Sequence, residues 1–218
     1  MRKCSTLRVM KPEKFVNEII ENYHKARVAQ YPDKKIHRGR SISISSVSED
    51  LLASFLLKND KTIGAIYVDQ PIHVPDVVKI FIPDVVIVRG STITAFLDLK
   101  MDLGYKRYGL VDLCRKDQEL LKKVRGKECS LTDGHTKEKH RFTVSKEAIY
   151  DIVVISSGNI GKKILESQLN ESNQFNKDVA VHVLTDGYHP NTYGLTLKEL
   201  MKHIEINEDS FRNILSRI

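Results

Sequence analysis

The stretch Ile82–Lys100, IPDVVIVRGSTITAFLDLK, decides the expected fold of this chain. It holds two runs rich in Val, Ile and Thr on either side of a Gly-Ser pair at 90–91. Branched side chains of this kind favour extended backbone, and a glycine between two such runs is typical of a tight turn. The stretch therefore predicts two antiparallel strands joined as a hairpin.

Charged residues of this hairpin are expected to meet at the end away from the turn. With the turn at 90–91, paired residues have numbers that sum to about 181, so Asp84 is expected opposite Leu97 and beside Asp98. Residues two apart on a strand point to the same side, which places Asp98 and Lys100 on one face. A neighbouring Pro-Asp pair, ending at Asp76, would lie too far from this face. Two carboxylates and one amine in one patch can hold a divalent cation and a water.

Pro83, Asp84, Asp98 and Lys100 together resemble the motif of the PD-(D/E)xK nuclease superfamily, which includes many restriction endonucleases and several recombination and repair nucleases. Asp98 fills the (D/E) position with the less common of the two acids. The resemblance spans about residues 45–123, roughly a third of the chain. It implies a restriction-endonuclease-like α/β fold, with a mixed central sheet flanked by helices, and metal-dependent hydrolysis of phosphodiester bonds in DNA.

A further acidic residue often comes from the helix that precedes the hairpin in this family. The segment SISSVSEDLLASFLLKND, residues 43–60, is predicted to form that helix from about 47 to 58, and Glu49 is the candidate. Two alternatives stay open. Ser46-x-x-Glu49 also fits a capping box, in which Glu49 would bind backbone instead of metal, and the adjacent Asp50 is the second choice as ligand.

The chemistry of this residue set favours hard cations and phosphate. Asp84 and Asp98 are expected to bind Mg²⁺, with the Leu99 backbone carbonyl beside them and Glu49 as the helix ligand; Mn²⁺ can substitute. Such an ion binds the scissile phosphate and activates a water. Lys100 is expected to hold that water and to stabilise the negative charge of the transition state. The predicted catalytic set is therefore Asp84, Asp98, Lys100 and Glu49.

Positive charge is concentrated just after the hairpin. The chain has 35 Lys and Arg against 28 Asp and Glu, a net charge of +7. A nucleic-acid enzyme needs cations beside its active site, because phosphate contacts supply most sequence-independent affinity. The alternative is a solvated surface with acids interspersed. The candidate DNA contacts are Lys106, Arg107, Arg115, Lys116, Lys122 and Lys123.

The remaining patterns predict an α/β protein formed as a single domain over residues 1–218, with its core at about 45–185. Helices are expected at 12–30, 110–124 and 160–170, and two C-terminal helices within 196–217: a short one opened by a capping box of Thr196 and Glu199, and a last one that begins at Asp209 or Ser210. Strands are expected at 62–69, 77–88, 93–99, 151–156 and 179–184, with a short edge strand at 141–145 and a loop over 126–140. The segment 151–184 reads as strand, helix, strand, for which parallel strands are expected.

Composition narrows the class of protein further. No stretch approaches 18 uninterrupted apolar residues, so no membrane span is expected. The three cysteines are odd in number and far apart, which favours a reducing compartment, and we expect a cytoplasmic protein. DNA is the expected partner. Family analogy adds a possible homodimer, since one such site cuts one strand.

The sequence leaves other functions open. A catalytically inactive nuclease-fold module could bind DNA or a protein, and an unrelated α/β enzyme could act on a small phosphorylated or carbonyl substrate. Some exonuclease branches of the family carry a glutamine on the helix after the hairpin, followed four residues later by tyrosine. Gln118 is placed suitably but Lys122 stands at the second position, which favours an endonuclease.

Overall fold

The computed structural model describes residues 9–75, 77–104 and 108–218, the side chains of Val78 and Lys79 excepted. These residues form a mixed sheet with helices on both faces. The helices are α1 (Pro12–Ala26), α2 (Ser45–Asn59), α3 (Leu110–Val124), α4 (Lys162–Ser172), α5 (Leu197–Leu200) and α6 (Glu208–Arg217). The strands are β1 (Ala65–Val68), β2 (Ile72–Val74), β3 (Val78–Phe81), β4 (Val85–Arg89), β5 (Thr92–Asp102), β6 (Glu128–Thr132), β7 (Lys139–Ser156), β8 (Val181–Gly187) and β9 (Ile204–Ile206).

The sheet is built around the long strand β7. Its path runs β1-β4-β5-β7-β6-β2-β3. β1, β4 and β5 form an antiparallel meander, whereas β5, β7 and β8 are parallel. The first half of β7 pairs with β6 and its second half pairs with β8. The expected α/β class with a mixed central sheet flanked by helices is confirmed.

Two apolar clusters cover the two faces of the sheet. On one face, α1, α2 and α6 bring together the rings of Phe15, Phe55 and Phe211, whose centroids lie 5.2–5.6 Å apart in edge-to-face arrangements. On the other face, α3 and α4 cover the central strands. There Phe96 of β5 also contacts Phe81 of β3, with centroids 5.4 Å apart. The sheet therefore curls until β3 faces β5.

The expected helix at 110–124 is confirmed at both ends. Leu110, Cys114, Leu121 and Val124 form its buried stripe, with a spacing that matches the helical period. The parallel crossover is confirmed as β7, α4 and β8. Helix α2 begins and ends within two residues of its expected bounds. No helix within the described ranges is long and apolar enough to cross a membrane.

The single strand expected at 77–88 is wrong. The chain forms two strands, β3 and β4, which are separated by Ile82-Pro83-Asp84. Proline has no N–H to donate to a sheet ladder, so Pro83 ends the first pairing. β3 turns back to pair with β2, whereas β4 pairs with β1 and β5. The hairpin of β2 and β3 is thus inserted into the expected meander.

The loop expected at 126–140 is also wrong, because β6 and the start of β7 form a hairpin there. Within β6 only Cys129 and Leu131 are buried. They alternate with polar neighbours, so the period of two that is typical of a strand is hard to see in the sequence. The edge strand expected at 141–145 and the strand at 151–156 are parts of β7, which lies inside the sheet. At the amino-terminal end, α1 ends at Ala26 rather than at residue 30, and the Arg27 guanidinium binds the Thr192 carbonyl at 2.9 Å.

Candidate active site

The hairpin of β4 and β5 sits inside the sheet and ends at the proposed site. Gly90 has a φ of 60°, the left-handed conformation that a tight turn between strands requires. Val88 pairs with Ile93, but Ile87 pairs with Ala95, so Thr94 is an extra residue in β5. Val85 consequently pairs with Leu97. The expected pairing of Asp84 with Leu97 is therefore wrong by one residue, and the register carries Asp84 opposite Asp98.

Asp84, Asp98 and Lys100 converge as their spacing predicted. The Lys100 ammonium Nζ lies 3.0 Å from Oδ2 of Asp98 and 3.6 Å from Oδ2 of Asp84. The Leu99 backbone N–H donates to Asp84 Oδ2 at 2.6 Å, and the Tyr150 hydroxyl donates to Asp98 Oδ1 at 2.8 Å. Each carboxylate is thus fixed by a donor from the sheet, and one ammonium faces both.

The charges of this group shift one another's pKa values. Burial raises the pKa of Asp84, and the Asp98 charge adds to this, although Lys100 and the Leu99 N–H oppose it. Burial alone would lower the pKa of Lys100, but the charges of Asp98 and Asp84 outweigh burial and raise it. Lys100 is therefore an ammonium ion at neutral pH. It can donate hydrogen bonds and stabilise negative charge, but it cannot accept a proton.

Glu49 lies on α2, within electrostatic reach of this group. Burial is the main cause of its raised pKa, followed by the charges of Asp84, Asp69 and Asp50, while Lys100 acts in the opposite sense. The N-cap position of α2 is Ile44, which makes no side-chain capping bond. The alternative role of Glu49 in a capping box with Ser46 is therefore wrong. Its carboxylate remains a candidate ligand.

A pocket of about 440 Å³ opens beside Asp98. Ile80, Phe81 and Ile82 form one wall, which follows from the curl of the sheet, and α3 forms the opposite wall. Asp98 and Tyr150 lie between them. The site therefore has a half-open, partly apolar compartment on its α3 side, which the sequence alone does not predict.

Asp117 of α3 is the site residue that the sequence reasoning missed. It lines this pocket, is only 4 % exposed, and its Oδ2 is buried with no hydrogen-bond partner. Burial, followed by the charge of Asp98, raises its pKa to about 7. A signal was available: Asp117 interrupts the apolar stripe of α3 between Cys114 and Leu121. An acid at a core position of an amphipathic helix marks a functional candidate.

The predicted DNA contacts on α3 divide into two pairs. Lys116 and Lys123 line the pocket beside Asp98. Arg115 and Lys122 lie about 100° further round the helix, where Arg115 pairs with Asp112 at 2.5 Å and Lys122 donates to Gln118 at 3.2 Å. Lys106 and Arg107 lie outside the described residues, as does Asp76.

The donor chemistry of the site fits a hard divalent cation. Asp84, Asp98 and Glu49 offer carboxylate oxygens, the ligands that Mg²⁺ and Mn²⁺ prefer. Among the residues that the structure describes, no group of three or more His, Cys, Asp or Glu side chains is close enough to hold a metal ion. Mg²⁺ usually keeps several waters and takes one or two carboxylates, so an open site of this kind suits it.

Comparison with known proteins assigns no function to this site. No family model, no curated protein and no solved structure matches the chain. A fold shared with an enzyme would in any case not establish an activity, because function depends on the site. The function must therefore be inferred from the geometry of Asp84, Asp98 and Lys100.

Proposed function

We propose that this chain is a metal-dependent deoxyribonuclease of the PD-(D/E)xK type, which hydrolyses phosphodiester bonds in DNA as an endonuclease. The observation that carries the proposal is the convergence of two carboxylates on one ammonium: Lys100 Nζ is 3.0 Å from Asp98 and 3.6 Å from Asp84. These residues are separated along the chain by an entire hairpin. Their meeting in a partly buried patch is what a phosphate-cleaving site requires.

The order of elements supports the same proposal. The chain runs α2, then the meander of β1, β4 and β5, then α3 and β7, and the sheet order is β1-β4-β5-β7. This is the helix, meander, helix, strand layout that the resemblance implies for a restriction-endonuclease-like core. The hairpin of β2 and β3 is an insertion within that layout, and its β3 strand supplies the apolar wall of the pocket.

The chain's own residues would prepare a phosphate for attack by water. Asp84, Asp98, the Leu99 carbonyl and Glu49 are the groups that would hold Mg²⁺ or Mn²⁺. Such an ion, when bound, polarises a phosphoryl oxygen and lowers the pKa of a bound water. The Leu99 N–H fixes Asp84, and the Tyr150 hydroxyl fixes Asp98, so both carboxylates keep their direction.

Lys100 has a separate role. Because its pKa is raised by Asp98 and Asp84, it enters the reaction as a cation. Its N–H groups can orient the attacking water and a phosphate oxygen, and its charge offsets the negative charge that builds in the transition state. The protonated amine cannot remove the proton from water, so that proton must leave to a different acceptor.

DNA binding would use the cations beside the pocket. Lys116 and Lys123 flank the site from α3 and can contact phosphates on either side of the scissile bond. The proposal keeps Lys106, Arg107, Arg115 and Lys122 as secondary phosphate contacts; because Arg115 and Lys122 are engaged with Asp112 and Gln118, they should contribute less than Lys116 and Lys123. The proposal also includes a homodimer that cuts both strands and a cytoplasmic location.

The decisive experiment is cleavage of supercoiled plasmid DNA in Mg²⁺ or Mn²⁺, with an EDTA control. We expect wild-type protein to nick or linearise the plasmid, and Asp98→Ala and Lys100→Ala each to lose at least about 100-fold in rate. Asp112→Ala is the matched control, since it removes an exposed acid of α3 and should cleave as wild type does.

Two results would contradict the proposal. If both active-site variants cleave at the wild-type rate, these residues are not the catalytic set. If no protein cleaves but salt-sensitive DNA binding persists, the chain is an inactive nuclease-fold binding module.

A further inference from the structure

The loop between α1 and α2, residues 27–44, carries more than half of the chain's excess positive charge. It holds five Lys and Arg against one Asp, whereas the whole chain has 35 Lys and Arg against 28 acids. Every residue from 30 to 40 is exposed. The cations of this α1–α2 loop are Arg27, Lys34, Lys35, Arg38 and Arg40. An exposed loop with one dominant sign of charge is a candidate binding surface.

The charges of the α1–α2 loop are not neutralised by acids of the same fold. Within the described ranges, no carboxylate pairs with the side chains of Lys34, Lys35, Arg38 or Arg40. The one acid of the loop, Asp33, instead accepts the Lys35 backbone N–H with its Oδ1 at 2.9 Å. Exposed cations without acidic neighbours keep their attraction for a polyanion, and the phosphate backbone of DNA is such a polyanion.

Both ends of the α1–α2 loop are bound to the segment that follows β8. At its start, the Arg27 guanidinium donates to the Thr192 carbonyl at 2.9 Å and lies over the Tyr193 ring, 4.2 Å from the ring centroid. Near its end, the Ser41 hydroxyl forms a hydrogen bond of 3.0 Å with the Tyr193 hydroxyl. The loop is therefore held at the end of the sheet where β8 finishes.

That end of the sheet also carries the candidate active site. Asp102 lies two residues after Lys100 on β5, so the two side chains point to the same face. His189, in the segment after β8, places its Nε2 3.3 Å from Asp102 Oδ2. Helix α2 follows the loop directly and carries Glu49. The α1–α2 loop therefore borders the site from the side of α1 and α2, whereas the cations of the pocket lie on α3.

We infer that the α1–α2 loop is a second phosphate-binding surface for duplex DNA, which holds the duplex on the side of the active site away from α3. The inference rests on the proposed function, which makes DNA the substrate. Phosphate contacts fix the register and orientation of a duplex without reading its sequence. Contacts on two sides of the site would hold the scissile phosphate in place, where contacts at α3 alone would leave one arm of the duplex free.

Fluorescence anisotropy on a labelled duplex, with Ca²⁺ in place of Mg²⁺ to prevent cleavage, tests the surface. The loop variant combines Lys34→Gln, Lys35→Gln, Arg38→Gln and Arg40→Gln. Each lost phosphate contact removes about 0.9 from the slope of log K against log salt, so we expect the slope to fall by at least about 1.8. Circular dichroism checks that the variant is folded.

The matched control removes the same charge from exposed positions scattered over other elements. It combines Lys14→Gln, Lys163→Gln, Lys177→Gln and Lys202→Gln. Because these positions form no common surface with the loop, the slope should fall by less than about 0.9. Equal falls for the two variants, or no fall for the loop variant, would overturn the inference. Binding to phosphatidylserine vesicles that the loop variant loses, with its DNA affinity unchanged, would overturn it in favour of a membrane surface.

Plasmid cleavage by the wild-type protein separates this inference from the proposed function. Cleavage together with an unchanged slope in the loop variant would overturn the inference and leave the nuclease standing. A fall in slope confined to the loop variant, without cleavage by the wild type, would support the DNA-binding surface and overturn the nuclease. No binding of DNA and no cleavage by the wild type would overturn both.

Discussion

Tyr150 fixes the direction of Asp98 through a single hydrogen bond. Its hydroxyl donates to Asp98 Oδ1 at 2.8 Å, and its ring is buried against Phe96. Tyr150→Phe keeps the ring and removes the donor, so the fold should remain while Asp98 loses its orientation. Outer hydrogen bonds of this kind are worth about 10–100-fold in metal affinity or activity. We expect a fall of that size in the rate of plasmid cleavage, with an unchanged melting temperature to within a few degrees.

A suitable control for Tyr150→Phe is Tyr188→Phe, which removes a hydroxyl from an exposed ring outside the site. It should cleave at the wild-type rate. A full rate in Tyr150→Phe would show that Asp98 needs no support from β7. A loss of folding in that variant would show that the hydroxyl stabilises the core rather than the site.

Asp117 makes a separate prediction about the pH dependence of folding. Burial and the Asp98 charge raise its pKa to about 7, against about 3.9 in an unfolded chain. Between these values the folded state retains a proton that the unfolded state has released. Stability is therefore lost as pH rises through this window, by up to about 1.4 kcal/mol per pH unit.

Asp117→Asn removes that titration, because an amide has no proton to release. Urea unfolding in EDTA across this pH range should show a flatter pH dependence of the free energy of unfolding for the variant than for wild type. Groups remote from Asp117 titrate equally in both proteins and cancel in the difference. Parallel pH profiles for the two proteins would mean that Asp117 is exposed or paired in solution.

The residues of the site differ in how far sequence could reveal them. Asp84, Asp98 and Lys100 follow from strand period and turn position, and the one-residue register error from Thr94 leaves their convergence intact. Asp117 was visible as an acid in an apolar stripe. Tyr150 was not predictable, because its role depends on the parallel pairing of β5 with β7, which only tertiary structure sets.

Among the elements, α6 is held to the sheet by one buried charge cluster. Asp151 of β7 is fully buried, and it accepts from Arg217 at 2.8 and 2.9 Å, from His182 at 2.9 Å and from the Ala180 N–H at 3.0 Å. Burial alone would raise the pKa of Asp151, but the hydrogen bonds and charges of His182 and Arg217 outweigh it and lower the pKa. The cluster thus contributes stability that is present above the ordinary pKa of an aspartate and is lost as pH falls through the lowered one.

Arg217→Met tests this anchor. It leaves a buried carboxylate with fewer partners, and breaking a buried pair in this way costs about 3–5 kcal/mol. Because Arg217 is about a quarter exposed, we expect the free energy of unfolding, measured with urea, to fall by about 2 kcal/mol. Arg212→Met on the same helix is the control: it breaks only exposed pairs with Glu208 and Asp209, and should change stability by less than about 0.5 kcal/mol. Equal effects of the two variants would contradict the anchor.

Elements were predictable where one face alone is buried. The stripe of α3 gave both of its ends, whereas β7 was divided into two strands because its first half mostly alternates exposed and partly buried residues and its second half is continuously buried. Such a change in burial along one strand indicates that its two halves have different surroundings: the first half lies nearer an edge of the sheet and the second half lies at its centre. Pro83 ends the strand because proline has no N–H to donate to a sheet ladder. The apolar residues on both sides of Pro83 conceal this break in the sequence pattern.

At the scale of the whole molecule, charge and curvature act together. The curl of the sheet brings β3 opposite α3 and forms a compartment whose floor is acidic at Asp98 and Asp117. The chain nevertheless carries a net charge of +7. A basic molecule attracts DNA at long range, and an acidic floor rejects phosphate until cations neutralise it. DNA binding should therefore depend on both salt and divalent ions.

This arrangement predicts which positively charged side chains set the salt dependence of DNA binding. Lys116 and Lys123 lie at the compartment, whereas Arg115 and Lys122 lie on another face of α3 and are engaged with Asp112 and Gln118. Each phosphate contact contributes about 0.9 to the slope of log K against log salt. The double variant Lys116→Ala/Lys123→Ala should reduce that slope by about 1.8, measured by fluorescence anisotropy on a labelled duplex with Ca²⁺ in place of Mg²⁺ to prevent cleavage.

Arg115→Ala/Lys122→Ala removes the same charge from the same helix, so a smaller fall in slope for this pair would place the DNA at the compartment. Equal falls would mean instead that binding follows net charge alone and that the compartment does not direct the duplex.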